Sequence, residues 1–513
     1  MARDFAGVDR GQLLLMPPSL TEWLPEEHLV WSVLGAVEQM DLRRFAERYR
    51  LGAAGRPPLD PAVMVALLLY AYARGIRSSR AIERACWEDV AFKVICGMRC
   101  PDHSTIAEFR RRHEVEIGEL FDEVLGLCRE AGLVSVGVIT IDGTKIKANA
   151  SMDQNRSYQE LVREILREAE ETDRREDEQF GEARGDELPE QLRTAEGRRQ
   201  ALADAKRRLA ERKGRPVEPE PVSEVEVDFE RVVLERPVLR RGGRREWLRV
   251  ARSEREAQRA RQARPIPRDR DDRLVDALGR FEENERFDQA ANDAYERWRA
   301  TARDTKGRVL KGNSKPYVPP ELPDGRINLS DLDSRVMRTH GTPARQAYNA
   351  QTAVNDRQVV LAAEVTVDSP DFGHLEPTLE ATLTHVGRHG IDAQPDVVIA
   401  DAGYWHTRQI EAIEQQGIEV LVPPESGLRE GARPGWKHPR YEQMREKLGT
   451  DRGRDLYARR KTTIEPVFGQ IKHNRRIDRF MRRGRAAAQS EWRLIAATHN
   501  LLKLHSHWIA TPA

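Results

Sequence analysis

No apolar run in this chain is long enough to cross a bilayer. The longest, Ala62 to Ala73, has twelve residues, against the roughly 20 that a membrane helix needs. A signal-peptide pattern is also missing, so a soluble, cytoplasmic protein with no membrane partner is expected. Cysteine is scarce: Cys86, Cys96, Cys100 and Cys128 are the only four in 513 residues, all in the first quarter. Cys96 and Cys100 are spaced too widely for a Cys-x-x-Cys zinc pair and no second pair follows, so buried reduced thiols are expected. An excess of one charge is lacking too, the net value being +1. Yet 33% of residues are charged. The balance therefore hides local blocks and does not exclude a nucleic-acid partner. The length predicts roughly two to four domains.

The densest block of charge lies near the C-terminus. From Lys472 to Arg485 there are seven cations (Lys472, Arg475, Arg476, Arg479, Arg482, Arg483, Arg485) against the single acid Asp478. Just before it, Ile464, Phe468 and Ile471 recur at helical spacing. Glu465 and Lys472 are seven apart, almost two turns, so they are expected on one edge of that helix. A carboxylate beside a cationic track suits metal-assisted chemistry on a phosphate backbone, whereas a solvated basic face is the plain alternative.

Residues 1–130 predict short helices. Asp60-Pro61 supplies an N-cap and a first helical residue, and Gly75 a stop. Ser78 to Glu83 offers a capping pattern, and 104–112 opens a helix with a basic face. A helix-turn-helix DNA reader and a plain bundle both fit. Residues 152–330 are thin in apolar side chains and broken by prolines. They predict an inserted, charged helical arm with little core of its own.

Around this insertion the pattern becomes strand-like. Residues 136–151 are β-branched and apolar with Asp142 in their midst, and a buried carboxylate needs a partner or a metal. Lys145 and Lys147 alternate to one side. Residues 346–355 and 359–367 predict a hairpin. A helix is expected over 375–388, a buried strand over 396–400 ending in Asp401-Ala-Gly403-Tyr404, a helix over 407–416 and a strand over 418–422. Asp142 and Asp401 thus sit alike, after hydrophobic strand residues, with Glu465 on a helix. Three carboxylates around one point repel one another unless divalent cations neutralise them. Two Mg²⁺ or Mn²⁺ ions would stabilise both the attacking and the leaving oxygen of an in-line phosphoryl transfer.

Thr140-Ile-Asp142-Gly-Thr-Lys-Ile-Lys-Ala-Asn-Ala-Ser151, Tyr348-Asn-Ala-Gln351, Ala400-Asp401-Ala-Gly-Tyr404 and Ile464-Glu465-Pro-Val-Phe-Gly-Gln-Ile-Lys472 resemble bacterial insertion-sequence transposases. These carry an Asp-Asp-Glu site on a ribonuclease-H-like fold, and the resemblance is to the group with a Tyr-Arg-Glu-Lys signature. Residues 45–115 are similar to its helical N-terminal domain and 491–503 to its closing helix. In that signature two residues separate Tyr from Arg, three Arg from Glu and six Glu from Lys. Lys472 keeps its distance from Glu465, but Lys461 stands where Arg is expected, Arg460 is next to it, and Tyr457 sits one residue early.

The resemblance implies an α/β protein: a helical N-terminal DNA-binding-type domain (1–130) and a ribonuclease-H-like catalytic domain (131–151 and 331–513), with the charged, mainly helical arm (152–330) outside the match. It implies cut-and-paste DNA transposition, with Asp142, Asp401 and Glu465 holding two ions. Lys145, Lys147, Tyr457, Arg460, Lys461, Lys472, Arg475, Arg476 and Arg479 would contact DNA. Trp405 would either stack a base or pack under its turn. Partners would be terminal inverted repeats, target DNA and a second subunit on paired ends, with a nucleoid-associated location. A DNA-binding transposition inhibitor that has lost cutting is the alternative.

Overall fold

The computed structural model describes residues 19–47, 58–180, 266–301, 325–338, 343–425 and 439–510, with isolated positions elsewhere between 49 and 341. The expected helical run near 193–213 and the Gly- and Pro-rich stretch near 305–325 fall largely outside the described residues.

Among the described residues, seven helices come first: α1 (Leu29–Gln39), α2 (Arg43–Glu47), α3 (Pro61–Ala73), α4 (Ser79–Glu88), α5 (Val90–Cys96), α6 (His103–Arg112) and α7 (Glu114–Glu130). Local chemistry sets their ends. The Asp60 side chain accepts from Ala62 N–H with Pro61 in the first turn, and Ser78 and Asp102 cap α4 and α6 in the same way. Gly75 ends α3 at φ 75°, and a Cβ there would strike the Arg475 carbonyl. Helix α3 is buried from Met64 to Ala73, which makes it the hub of this bundle. The basic residues of α6 are engaged within the protein. Arg110 donates to Arg77 O at 2.7 Å, and Arg111 and Arg112 pair with Glu108.

The strands follow as β1 (Val138–Lys147), β2 (Asn155–Arg156), β3 (Ile327–Asn328), β4 (Arg335–Met337), β5 (Arg345–Val354), β6 (Val360–Thr366), β7 (Val397–Ala400) and β8 (Glu419–Leu421). All but β2 and β3 form one mixed sheet. Its centre is β1, antiparallel to β5 on one side and parallel to β7 on the other, with β8 beyond β7. The far edge of β5 is shared by β4 and β6, and β5–β6 is the hairpin that the alternation predicts. Between and after these strands lie α8 (Tyr158–Phe180), α9 (Arg270–Thr301), α10 (Leu375–Gly387), α11 (Thr407–Gln415), α12 (Pro439–Gly449), α13 (Asp451–Gly469) and α14 (Arg485–Ala510).

One hydrophobic core runs from α1 through the sheet to α14. The closing helix α14 packs closely on α7, where Gly118 lies against Ser490. The arm buries more than its composition suggests. Leu161 and Ile165 of α8, Leu274 and Phe281 of α9, and Ile327 and Leu332 beside β3 make a separate small core. Trp247, Leu248, Phe287 and Tyr295 make another. Helix α9 serves both: Leu274, Ala277, Leu278 and Phe281 face the first core, and Phe287, Ala291, Ala294 and Tyr295, turned to another face, the second, so no single apolar stripe stands out in a charge-rich sequence.

Candidate active site

The parallel pairing of β1 and β7 matches Ile141 with Ala400. The next residue on each strand is an aspartate, so Asp142 and Asp401 leave neighbouring strands side by side. Asp142 Oδ1 accepts from Gly143 N–H at 2.8 Å, and Asp401 Oδ1 accepts from Gly403 N–H at 2.8 Å across a tight turn. The Asp142 side chain keeps 14% of its surface exposed. Burial, together with the charge of Asp401, pushes its carboxyl up to about 7. Burial also raises Asp401, against the Gly403 N–H that favours its charge. Burial is thus the main penalty on both carboxyls, and Arg460 and the turn N–H groups offset only part of it.

Helix α13 crosses this pair. Ile464 and Val467 fasten it to the core, and Thr463 Oγ1 bonds Thr140 Oγ1 at 3.1 Å. That phase turns Arg460 inward, where its Nη1 donates to Asp142 Oδ2 at 2.8 Å. Tyr457 is half-buried beside Arg460, and burial raises its phenol. Lys461 is exposed, so Arg460, two residues after the gap from Tyr457, is the cation facing the acids.

The extra residue of the signature lies between Arg460 and Glu465. Positions five apart sit about 140° apart around a helix, against about 40° for four. Accordingly Glu465 retains 48% of its side-chain surface and approaches the site only through Arg460, 3.4 Å from its Nη2. The structure brings Asp142, Asp401 and Arg460 together and leaves Glu465 at the rim.

The expected edge shared by Glu465 and Lys472 is interrupted as well. The α-helix ends at Gly469 and residues Gln470–Asn474 form a wider π turn. Lys472 turns toward β1, its Nζ donating to Lys145 O at 3.1 Å, and burial with nearby Lys145 lowers its ammonium. Lys147 pairs with Asp478. Arg475, read from sequence as a DNA contact, is buried. It donates to Thr498 Oγ1 at 2.7 Å, and burial beside Arg77 brings it down to about 10. Arg476 and Arg479 are exposed, because Ile477 and Phe480 take the inward positions of this extended stretch. Trp405 is 5% exposed and stacks on Tyr441 at 4.9 Å. It also lines a small cavity with Ile410 and Met444. Its position is that of a tryptophan packed under the Asp401 turn.

One acid escaped the reading of the sequence. Asp371, in the loop between β6 and α10, accepts from Lys145 Nζ at 3.1 Å, Asn349 Nδ2 at 2.8 Å and Gln351 Nε2 at 3.0 Å. It follows Ser369-Pro370 in an irregular loop, where no periodicity marks it. The Tyr348-Asn-Ala-Gln351 motif was its available signal, because two amides on one face of a strand call for an acceptor.

Among the described residues, no three or more His, Cys, Asp or Glu side chains gather as a ready metal cage. The chemistry of the donor set nonetheless fits a hard cation: two adjacent carboxylates, one driven up to about 7 by burial and by the charge of the other. Mg²⁺ takes few carboxylates and completes its shell with water and phosphate oxygens.

Comparison with known families adds two matches. Residues 18–112 match a family described as "Transposase domain (DUF772)". Residues 324–501 match "Transposase DDE domain". The chain matches no curated protein and no solved structure. Two transposase domains in this order support an insertion-sequence transposase, a DNA-processing enzyme. No helix among the described residues is long and apolar enough to cross a membrane.

Proposed function

We propose that this protein is a cut-and-paste DNA transposase whose catalytic pair is Asp142 and Asp401, with Glu465 as the third acid. The observation that carries the reading is the pairing of β1 with β7, which sets two aspartates raised by burial side by side, Asp142 within β1 and Asp401 just past the end of β7. The sheet order, with β1 antiparallel to β5 and parallel to β7, supports a ribonuclease-H-like catalytic unit. The helical bundle of residues 18–112 is then its N-terminal partner domain.

When bound, two Mg²⁺ or Mn²⁺ ions supply Lewis-acid charge to the attacking and leaving oxygens of phosphoryl transfer. Asp142 and Asp401 would hold them, with Glu465, at the rim of the site, as the third acid. Arg460 balances Asp142 before substrate arrives. Lys145 and Lys472 flank the pair and bind the phosphates next to the cleaved bond, while exposed Arg476 and Arg479 follow the backbone outward. Tyr457 positions the Arg460 guanidinium. Strand cleavage frees a 3′-hydroxyl that attacks target DNA in the same site. The working unit is a dimer on paired terminal inverted repeats, on the bacterial chromosome.

The test is cleavage of a plasmid carrying the DNA that flanks the gene, in Mn²⁺ and in Mg²⁺. Asp401→Asn should abolish cleavage and leave binding of the ends intact or tighter, since repulsion of phosphate is removed. Full cleavage by Asp401→Asn would falsify the assignment. A wild-type protein that binds the ends and never cuts would instead identify a transposition inhibitor.

A further inference from the structure

Asp371 is a third carboxylate beside the aspartate pair, reached from the other side of the sheet. Strand alternation puts Gly143 and Lys145 on the face opposite Asp142. Their cross-strand partners are Gln351 and Asn349, which share that face. Asp371 enters this square of four residues from the β6–α10 loop. Gly143 makes the entry possible, because a Cβ there would collide with the Asp371 carboxylate and the Gln351 amide. Asp371 also lies against Gly403 of the Asp401 turn, where a Cβ would stand 3.6 Å from its Oδ2.

Every bond of the square leads toward the site. Both Asp371 oxygens accept from Lys145 Nζ at 3.1 Å. Its Oδ1 also takes the Asn349 and Gln351 amides. The other end of the Gln351 amide accepts from the Tyr404 hydroxyl, three residues beyond Asp401. Tyr404 is fully buried, so its position is set by that bond and by packing. A lysine is flexible on its four-carbon stem, and a two-oxygen clamp removes most of that freedom. An ammonium left loose near Asp401, whose charge it already offsets, would instead be free to pair with it and occupy the space that substrate and cation need.

We propose that Asp371 is a positioning residue of the aspartate site, acting in two directions from one carboxylate. It holds the Lys145 ammonium beside the pair, where a DNA phosphate binds, and through Gln351 and Tyr404 it braces the turn that carries Asp401. The part concerning Lys145 rests on the catalytic reading of Asp142 and Asp401; the bracing of the turn does not.

The experiment compares full-length wild type, Asp371→Asn, Lys145→Gln, the double variant and Asp401→Asn in two measurements. The first is Mn²⁺-dependent cleavage of the plasmid carrying the flanking DNA, at saturating metal and DNA. Asp371→Asn should cut at least ~10-fold more slowly with DNA affinity within ~3-fold of wild type, and the double variant should be no slower than Lys145→Gln alone. Additive losses, or wild-type rates in Asp371→Asn, overturn the role through Lys145. The second is hydrogen–deuterium exchange, which needs no activity. Peptides covering 401–406 should exchange at least ~10-fold faster in Asp371→Asn, with α14 unchanged. Unchanged exchange there overturns the brace, and faster exchange throughout the chain shows a general loss of stability and overturns it too. A wild-type protein that does not cleave, or an Asp401→Asn variant that does, overturns the catalytic reading and the Lys145 role with it; the exchange measurement still decides the brace.

Discussion

Two pairs of buried aspartates stand in this molecule, and their surroundings differ. Asp331 and Asp333 sit where the arm joins the sheet. Burial opposes the charge of Asp333, but Arg280 of α9 and the Arg485 N–H hold its carboxyl below the usual range. Asp331 is pushed up to about 6 by burial, and it accepts from Tyr348 Oη at 2.6 Å and Gly484 N–H at 3.2 Å. Protein groups thus serve Asp333 on both sides and one oxygen of Asp331, whose Oδ2 is buried without a hydrogen bond, and the pair ties α9, β5 and the start of α14 together. Asp142 and Asp401 have one guanidinium at 2.8 Å and their own turn N–H groups, and Asp142 rises to about 7. An acid bonded to several elements, as Asp331 and Asp333 are, serves as a joint. Two carboxylates side by side with a face still open to solvent, each raised by burial, are suited to receive a cation.

The comparison breaks most decisively at Asp142. Asp142→Asn should lower cleavage by at least ~10³-fold, as removal of one ion-holding group and its transition-state charge requires. The same change should stabilise the free protein at pH 8 by on the order of 2–4 kcal/mol, because a carboxyl raised from 3.8 to about 7 is destabilising when ionised. Chemical denaturation measures the second effect. A variant less stable than wild type at pH 8 would mean that Asp142 is a structural acid after all.

Arg280→Ala tests the other pair. It strips the cation from Asp333 in a site where the arginine side chain is only 13% exposed, and it should cost about 3 kcal/mol. Replacing residues 160–320 by a Gly/Ser linker removes the same guanidinium. It should lose at least as much unless Asp333→Asn is added, which would restore most of the stability. Rescue by Asp333→Asn distinguishes loss of the charge pair from loss of arm packing.

A smaller effect is the response to pH and metal. Between 3.8 and about 7 the folded chain binds more protons at Asp142 than the unfolded chain does. Stability therefore falls as pH rises through that window. Mn²⁺ should recover it at pH 8, seen as a rise in Tm in the wild type that is absent from Asp142→Asn. The smallest change is expected of Asp331→Asn, within about 1 kcal/mol at pH 7. An amide oxygen still accepts from Tyr348 and Gly484, and loss of the charge offsets loss of the stronger acceptor.

Particular residues show why only part of this was legible in the chain. Asp142 and Asp401 were, because a carboxylate directly after apolar β-branched strand residues breaks a local rule. The caps of α3 and α4 were too, because the bonds they make span three residues or fewer. Arg460 was adjacent to the position expected from the signature. The phase of a helix is set by what it packs on, here Ile464 and Val467, and not by the count of residues from a motif. Arg475 looked like its neighbours in a basic run until α14 supplied Thr498 as its acceptor. Trp405 offered two readings, and Tyr441, 36 residues away in sequence, favours the packed one.

The sequence by itself determined the α/β character, the hairpin of β5 and β6, a charged segment between β1 and β5, and two aspartates that each follow apolar strand residues. These follow from periodicity, turn chemistry and the cost of a lone buried charge, all properties of short stretches. Tertiary structure alone decided that β1 and β7 are neighbours, that Arg460 and not Lys461 faces the acids, that Glu465 stands at the rim, and that Asp371 clamps Lys145. Each depends on groups brought together across tens to hundreds of residues. Interactions of a few ångströms are set by which surfaces pack, and packing joins segments that no local pattern connects.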